Sequence, residues 1–596
     1  MNYDKHDKHD KHDKYDKHDG YDKHDKHEKY DKHHEHREHD KYDEHHEHRE
    51  HHEHDEHDEH HEHHEHHEHD EHDKYNKPGK HGNVITVNLK ATRIDPHAKA
   101  YEKLLKNMQG NILKGHGRDF SVHIFLQFTA DIRTVRKWIE SFAKHYVTSA
   151  EQQLSETENY KKHGTPGGLF GNFFLSAKGY ETLGFTQEEI QAAFVEEDVF
   201  FGEKVDVKFI KGMAAAQEEL KDPPVETWEE GYRYQEPTID AVILLADANE
   251  DVLYREATAV IQNVQAVATV LAVEYGNALR NENGDGIEHF GYVDGRSQPL
   301  FLNSDIEAEN NKDGIDNFNP SAPLELALVP DPLAEGEDCF GSYVVFRKLE
   351  QNVQGFKQRE QELAQALGLT DDDAERAGAM VIGRFEDGTP VVLQPTDGLH
   401  SPVPNNFTYG DDSEGSKCPF HAHIRKMNPR GDIGNFFGAT DDEKRQLHEQ
   451  ERSRRIVRRG ILFGKSEVDP HDDSTIDQLP TSGVGLLFMC FQSNIARQFG
   501  FIQKNWANNL NFIQPETGLD PVIGQQEVSL PQQWPLQWGQ QGKQSFDFGA
   551  FVTMKGGEFF FAPSLSFLRD LKKKDKDWEV LSLSKSLGKN GCGVMR

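Results

Sequence analysis

The sequence predicts an α+β fold of antiparallel sheet with peripheral helices, preceded by a tail that has no means of folding. Three observations predict it. Over residues 120–275, apolar runs and helical periodicities alternate in the order strand, helix, strand, strand, helix, strand. Strand-length apolar runs and helical stretches recur from residue 341 onward. Residues 1–80 contain no Leu, Ile, Val or Phe, so they cannot bury a core and are expected to be disordered.

The tail is a His/Asp/Glu/Lys-rich repeat. Lys-His-Asp recurs with period three from Lys5 to Asp19, with Tyr15 in one His slot, and then gives way to Glu-His and Asp-Glu-His units. Residues 1–73 hold 25 of the 37 histidines, and 28 acids against 12 Lys and Arg, which supplies −16 of the net −36. Imidazoles mixed with carboxylates suit divalent transition metal ions such as Zn, Ni or Cu. An equally good account is a solvated polyampholyte whose charge rises as its histidines protonate near pH ~6.5.

The first folded part, residues 100–305, starts with an apolar, β-rich run at 120–128. Val135, Trp138, Ile139, Phe142 and Tyr146 then follow helical spacing. Residues 168–175 read as a second strand, 238–245 as a third, 251–264 as a helix and 266–275 as a fourth strand. That order is the ferredoxin-like arrangement. Asp294 falls on a loop beyond its last strand. Residues 303–335 are polar and rich in Pro and Asn, and are expected to be a linker.

The second part, residues 336–596, has a strand at 341–346, helices at 350–367 and 371–380, and a buried strand at 483–491. Cys490 within that strand reads as a small core residue. A helix at 495–506 follows, then a hairpin over 551–561 turning at Gly556-Gly557. A second ferredoxin-like unit fits this half, less distinctly than the first.

Composition removes several function classes. The chain is acidic even without its tail, which argues against sequence-independent nucleic-acid binding. Cys339, Cys418, Cys490 and Cys592 are far apart and form no Cys-x-x-Cys, so neither a zinc ribbon nor a disulfide framework is expected. No apolar run reaches membrane-span length and no signal-type apolar stretch opens the chain. The expectation is a cytoplasmic protein, with export or encapsulation left open.

Three segments carry chemistry. In His289-Phe-Gly-Tyr-Val-Asp-Gly295, glycines flank Asp294 and leave its carboxylate unobstructed for moving a proton; the bland alternative is an ordinary turn. In Cys418-Pro-Phe-His-Ala-His-Ile-Arg-Lys426, His421 and His423 compete as a metal ligand, since neutral imidazole is the commonest axial ligand of haem iron. Arg425, Lys426 and Arg430 would pair with haem propionates or else be solvated charge. In Arg455-Ile-Val-Arg-Arg-Gly-Ile-Leu-Phe-Gly464, one guanidinium pointing into a buried pocket would stay charged and stabilise charge developing on a breaking O–O bond.

These segments, with Gln-Gly-Asn-Ile-Leu-Lys-Gly-His-Gly at 109–117 and the stretch 485–508, occur in the order found in dye-decolourising peroxidases. The chain resembles that family, and within it the longer-chain branch that shares the Gln-Gly-Asn-Ile-Leu opening. The resemblance implies two ferredoxin-like domains, one non-covalent haem b per chain, hydrogen peroxide as oxidant, and organic donors such as dyes and phenols. Asp294 matches the distal aspartate. His423, preceded by Ala422 as in the pattern Ala-His-Ile-Arg, matches the axial ligand, with His421 as second choice. Arg458 matches the distal arginine, with Arg459 as the neighbouring alternative. Arg430 corresponds to a propionate partner, and Asp520 to the carboxylate that receives the axial imidazole N–H.

The tail departs from the pattern, and so does Tyr292 where Phe is more usual, adding a hydroxyl near the haem and a candidate radical site. Donors too large for the pocket would draw on surface Tyr or Trp, with Trp506, Trp534, Trp538 and Trp578 available. A haem or metal carrier is the competing function, but a carrier needs neither Asp294 nor Arg458. A homo-oligomer is left open.

Overall fold

The computed structural model describes residues 87–196, 199–200, 203–233, 238–525 and 530–571. The expected tail with its metal-binding reading, Trp578 and Cys592 lie outside the described residues.

The first half is the predicted unit. Strand β1 (Phe120–Phe128) leads to helix α1 (Ile132–His145), β2 (Phe170–Leu175), β3 (Ala241–Asp247), helix α2 (Glu250–Val264) and β4 (Ala268–Asn277). Each helix starts on a polar cap: Asp131 accepts from Thr134 N at 3.1 Å and Asn249 from Val252 N at 3.0 Å. The strands lie in the order β2-β3-β1-β4, all antiparallel.

The second half repeats the arrangement with β5 (Phe340–Gln351), helix α4 (Val353–Leu367), the short strands β6 (Val457–Arg458) and β7 (Ile461–Phe463), β8 (Gly485–Gln492) and β9 (Val552–Ala562). Its order is β6/β7-β8-β5-β9, the same topology. The two half-sheets fuse where Phe561 of β9 meets Leu175 of β2. With the two-residue strand Val329–Pro330, this gives ten strands in one sheet among the described residues.

That junction is narrow, and a side chain reinforces it. Gln109 Nε2 donates to Phe173 O at 2.8 Å on one half and to Pro563 O at 2.9 Å on the other, while its Oε1 accepts from Phe173 N at 3.0 Å. The Gln-Gly-Asn-Ile-Leu segment is therefore a clamp. The core also crosses the junction: Phe125 packs on Phe346 and Phe560, with ring centres 4.8 and 6.3 Å apart. Strands β1 and β3 are buried along almost their whole length, as near-continuous apolar runs require of a sheet covered on both faces. Cys490 is a fully buried core residue, as expected.

Four expectations change. Residues 551–561 are not a hairpin, because β9 runs straight through Gly556-Gly557 with a bulge opposite Lys348/Leu349. Gly556 has φ 151°, and a Cβ there would overlap the ring of Tyr232. The glycines thus serve a bulge and a close approach, not a turn. Residues 303–335 are not a bare linker: they carry helix α3 (Asn303–Asp313), and Leu324, Leu326 and Leu328 enter the main core. The 371–380 helix is a single tight turn, Asp371–Asp373, followed by helix α5 (Arg376–Ile382). The 495–506 helix is wound wide, with Gly500 N bonding Ile495 O at 2.8 Å and Asn508 N bonding Gln503 O at 3.0 Å. No helix of the described residues is long and apolar enough to cross a membrane.

Candidate active site

Beyond β4, the chain forms the loop that holds Asp294. Glu288 ties this loop down from inside: its carboxylate accepts from Phe290 N at 2.9 Å, Tyr292 N at 3.1 Å and Gln351 Nε2 at 2.5 Å. Burial lifts Glu288 to about 7 against those hydrogen bonds. His289 spans to the second half through Phe463 O at 2.9 Å. Gly291 and Gly295 take φ of 100° and 77°, values glycine adopts without strain. Asp294 N bonds Gly286 O at 2.9 Å, which fixes the backbone at this position.

Arg458, on the edge strand β6, donates from Nη1 to Asp294 Oδ1 at 2.7 Å. Its own backbone N is held by Gln298 Oε1 at 3.1 Å. Both side chains line one cavity and retain accessible surface, 42 % for Asp294 and 32 % for Arg458. Burial by itself would raise the Asp294 pKa. The Arg458 guanidinium and its hydrogen bond outweigh burial and hold the carboxyl below its ordinary value, with smaller help from Gly295 N and His423.

Arg459 takes no part in this cavity. Its guanidinium donates to Asn111 O at 2.8 Å and Ile112 O at 3.3 Å, so it braces the Gln109 clamp. Alternation along the strand thus sends neighbouring arginines to opposite jobs.

His423 is the first residue of helix α6 (His423–Met427) and lines the same cavity. Its Nδ1 lies 2.9 Å from Asp520 Oδ2, and Asp520 Oδ1 in turn accepts from Val522 N at 2.8 Å and Ile523 N at 3.0 Å. Burial favours a neutral Asp520, but His423 and these bonds prevail and lower its pKa. His421 points elsewhere. It is buried against Trp534, with ring centres 4.3 Å apart, and burial pushes it down to about 3. The sequence left the two histidines competing; the geometry brings only His423 to the cavity.

The basic run after His423 pairs neither with a ligand nor with solvent. Arg425 is fully buried between the rings of Tyr409 and Phe420, 4.5 and 4.2 Å from their centres. It bonds Asp412 Oδ2 at 2.9 Å and Asp432 Oδ2 at 2.7 Å. Lys426 Nζ donates to Gly518 O at 2.7 Å and Asn509 O at 2.8 Å, and burial lowers it to about 7. Both cations therefore build the frame around His423, and Lys426 grips the loop that carries Asp520.

Arg430 also lines the cavity, but its Nη atoms donate to Asn405 O at 2.6 Å, Phe407 O at 2.9 Å and Asn405 Oδ1 at 2.8 Å. Phe318 and Phe407 sandwich it at 3.9 and 4.0 Å. It supplies positive charge to the wall while holding the 405–407 segment. Arg296 and Arg384, which the motif reading passed over, line the same wall. Arg296, Ser297 and Gln298 directly follow Asp-Gly, so their adjacency was the available signal. Leu349, Leu486, Phe488, Phe499 and Val522 make much of the remaining surface apolar. Trp506 and Trp534 are buried, and Trp538 is half-buried with Nε1 on Val391 O at 2.7 Å.

The family model described as the DyP dimeric alpha+beta barrel domain matches residues 107–278. The chain is 45 % identical over 478 residues to the multifunctional dye peroxidase DyP2 of Amycolatopsis sp., covering 78 % of this chain and 96 % of that protein. It is 30 % identical over 501 residues to the dye-decolorizing peroxidase msp1 of Mycetinis scorodonius, covering 78 % and 87 %. A crystal structure of a DyP-type peroxidase from Anabaena sp. superposes with a TM-score of 0.73 at 41 % identity, covering 83 % of this chain and 98 % of that one.

Arg425→Leu is expected to destabilise the protein by roughly 3–5 kcal/mol, because it leaves Asp412 and Asp432 buried without a cation. Urea unfolding measures it. A loss within about 0.5 kcal/mol, typical of a surface change, would contradict the scaffold role.

Proposed function

Because the chain belongs to the dye-decolourising peroxidase family, we propose that His423 holds a non-covalent haem b in the cavity and that Asp294 and Arg458 act there on hydrogen peroxide. The chain is a haem peroxidase that oxidises organic donors such as dyes; these residue roles are its mechanistic content. The observation that carries them is the convergence of the Arg458–Asp294 pair and the His423–Asp520 pair on one cavity.

The residues suit a haem. The walls are largely apolar, and Arg296, Arg384 and Arg430 add positive charge fit for carboxylates. Asp520 takes the Nδ1 side of His423 and leaves Nε2 for iron, and an ionised partner makes the imidazole more basic. When bound, the haem supplies the iron centre that accepts oxidising equivalents from peroxide.

The chain's own residues handle the protons and the charge. Asp294 stays ionised at neutral pH, because Arg458 outweighs the burial that would raise its pKa. It would receive a proton from one oxygen of the peroxide and return it to the other, which leaves as water. Arg458 stabilises negative charge on that oxygen as the O–O bond breaks. Phenols and dyes then supply electrons one at a time. The His-rich tail is a proposed metal-buffering segment, carried by its 25 histidines alone.

Asp294→Asn is expected to leave haem uptake intact and slow the reaction with peroxide by roughly 10²–10⁴-fold, the usual contribution of a proton carrier. Stopped-flow absorbance checks this, and a wild-type rate removes Asp294 from the mechanism. Asp520→Asn should weaken haem affinity by roughly 10–100-fold, read by haemin titration of the apoprotein. Undiminished affinity would mean that the His423–Asp520 bond does not tune the ligand.

A further inference from the structure

The mechanism above leaves Tyr292 unused. Tyr292 is 3 % exposed and lines the cavity, yet its hydroxyl turns into the protein and donates to Glu360 on α4. Glu360 is buried and is ion-paired to Lys357 at 3.1 Å. Lys357 also pairs with Glu386 and sits 5.1 Å from the centre of the Tyr292 ring. The Glu386 carbonyl accepts from Val293 N at 3.1 Å, which ties this cluster to the Asp294 loop. A Cβ at Gly378 would overlap both the Tyr292 hydroxyl and the Glu360 carboxylate, so α5 admits the pair only because that residue is glycine. Burying the Glu360 carboxylate and the Lys357 ammonium is costly, and a phenylalanine would fill the wall without them.

We propose that Tyr292 is a redox-active residue of the cavity wall and that Glu360 is the base that takes its proton. The inference rests on the peroxidase reading, which supplies the oxidant. Tyr292 gives one electron to an oxidising equivalent delivered by peroxide. Its O–H bond breaks and the proton passes to Glu360, leaving a neutral phenoxyl radical beside a neutral carboxylic acid. An electron from an organic donor later reduces the radical, and Glu360 returns the proton. Proton transfer needs an acceptor within hydrogen-bond reach, and Glu360 is already bonded to the hydroxyl. Burial lifts Glu360 to about 7, partly offset by Lys357, which makes it a better acceptor than an exposed carboxylate. The radical would hold oxidising power in the protein until a donor arrives.

The test is electron paramagnetic resonance of the haem-loaded full chain, frozen after one equivalent of hydrogen peroxide without donor, with residual peroxide assayed on the same sample. The wild type should show a tyrosyl signal that narrows when tyrosine is ring- and β-deuterated. Tyr292→Phe should lose that signal. Glu360→Gln, of the same shape, should lower its yield and alter the g-value that reports hydrogen bonding to the phenoxyl oxygen. If peroxide is consumed but the wild type has no tyrosyl signal, or Tyr292→Phe keeps it, the proposal is overturned while the peroxidase reading stands. A signal unchanged in Glu360→Gln overturns Glu360 as the acceptor. A wild type that consumes no peroxide overturns the peroxidase reading, and this inference with it.

Discussion

Arg458 reaches Asp294 across 164 residues of chain, and their 2.7 Å contact forms only because the two half-sheets are one sheet. Asp294 belongs to the loop that leaves the first half; Arg458 sits on the far edge strand of the second, paired with Cys490 of β8. If the halves could slide, the guanidinium would leave and burial would decide the carboxyl's ionisation. The fused sheet, the Gln109 clamp and the shared aromatic core prevent that. Arg459, beside Arg458, is anchored to the clamp segment at Asn111 and Ile112. The structural device that joins the halves is therefore continuous with the site they build.

The histidine side rests on a different kind of support. Helix α6 is only five residues long, too short to hold its position unaided. Its position is fixed by buried charge: Arg425 bonded to two aspartates between two rings, and Lys426 capping backbone carbonyls of the Asp520 loop. Buried ion pairs add little net stability compared with apolar packing. Here they fix geometry, because the same short helix orients His423 and grips the loop that presents Asp520 to it.

Much of this was legible in the sequence, and the limits have physical causes. Long apolar runs such as 120–128 and 241–247 belong to a sheet covered on both faces, so they read clearly. Asp294, His423 and Arg458 stand in motifs whose order resembles a known family, and the structure gathers all three around one cavity. What failed was whatever depends on a distant partner. Gly556-Gly557 looks like a turn until Tyr232 is seen against it. Arg425 and Lys426 look like ligand-facing charge, because the aspartates and carbonyls that consume them come from other segments. Tyr292 shows a hydroxyl in the sequence, but not that Glu360 lies at its end.

The central claim is that Arg458 sets the ionisation of Asp294. The measurement that tests it most directly is the pH dependence of the second-order rate constant for peroxide, by stopped flow, in the wild type and in Arg458→Leu. A carboxyl with a lowered pKa stays ionised as pH falls, and its base form is lost only below the ordinary value of about 3.8. The wild-type acid limb should therefore lie below that value. Removing the guanidinium leaves burial opposed only by the smaller pull of Gly295 N and His423, so the limb should move upward, together with a slower plateau. A slower plateau with an unmoved acid limb would contradict the account, because Arg458 would then act on the breaking O–O bond alone and not through Asp294.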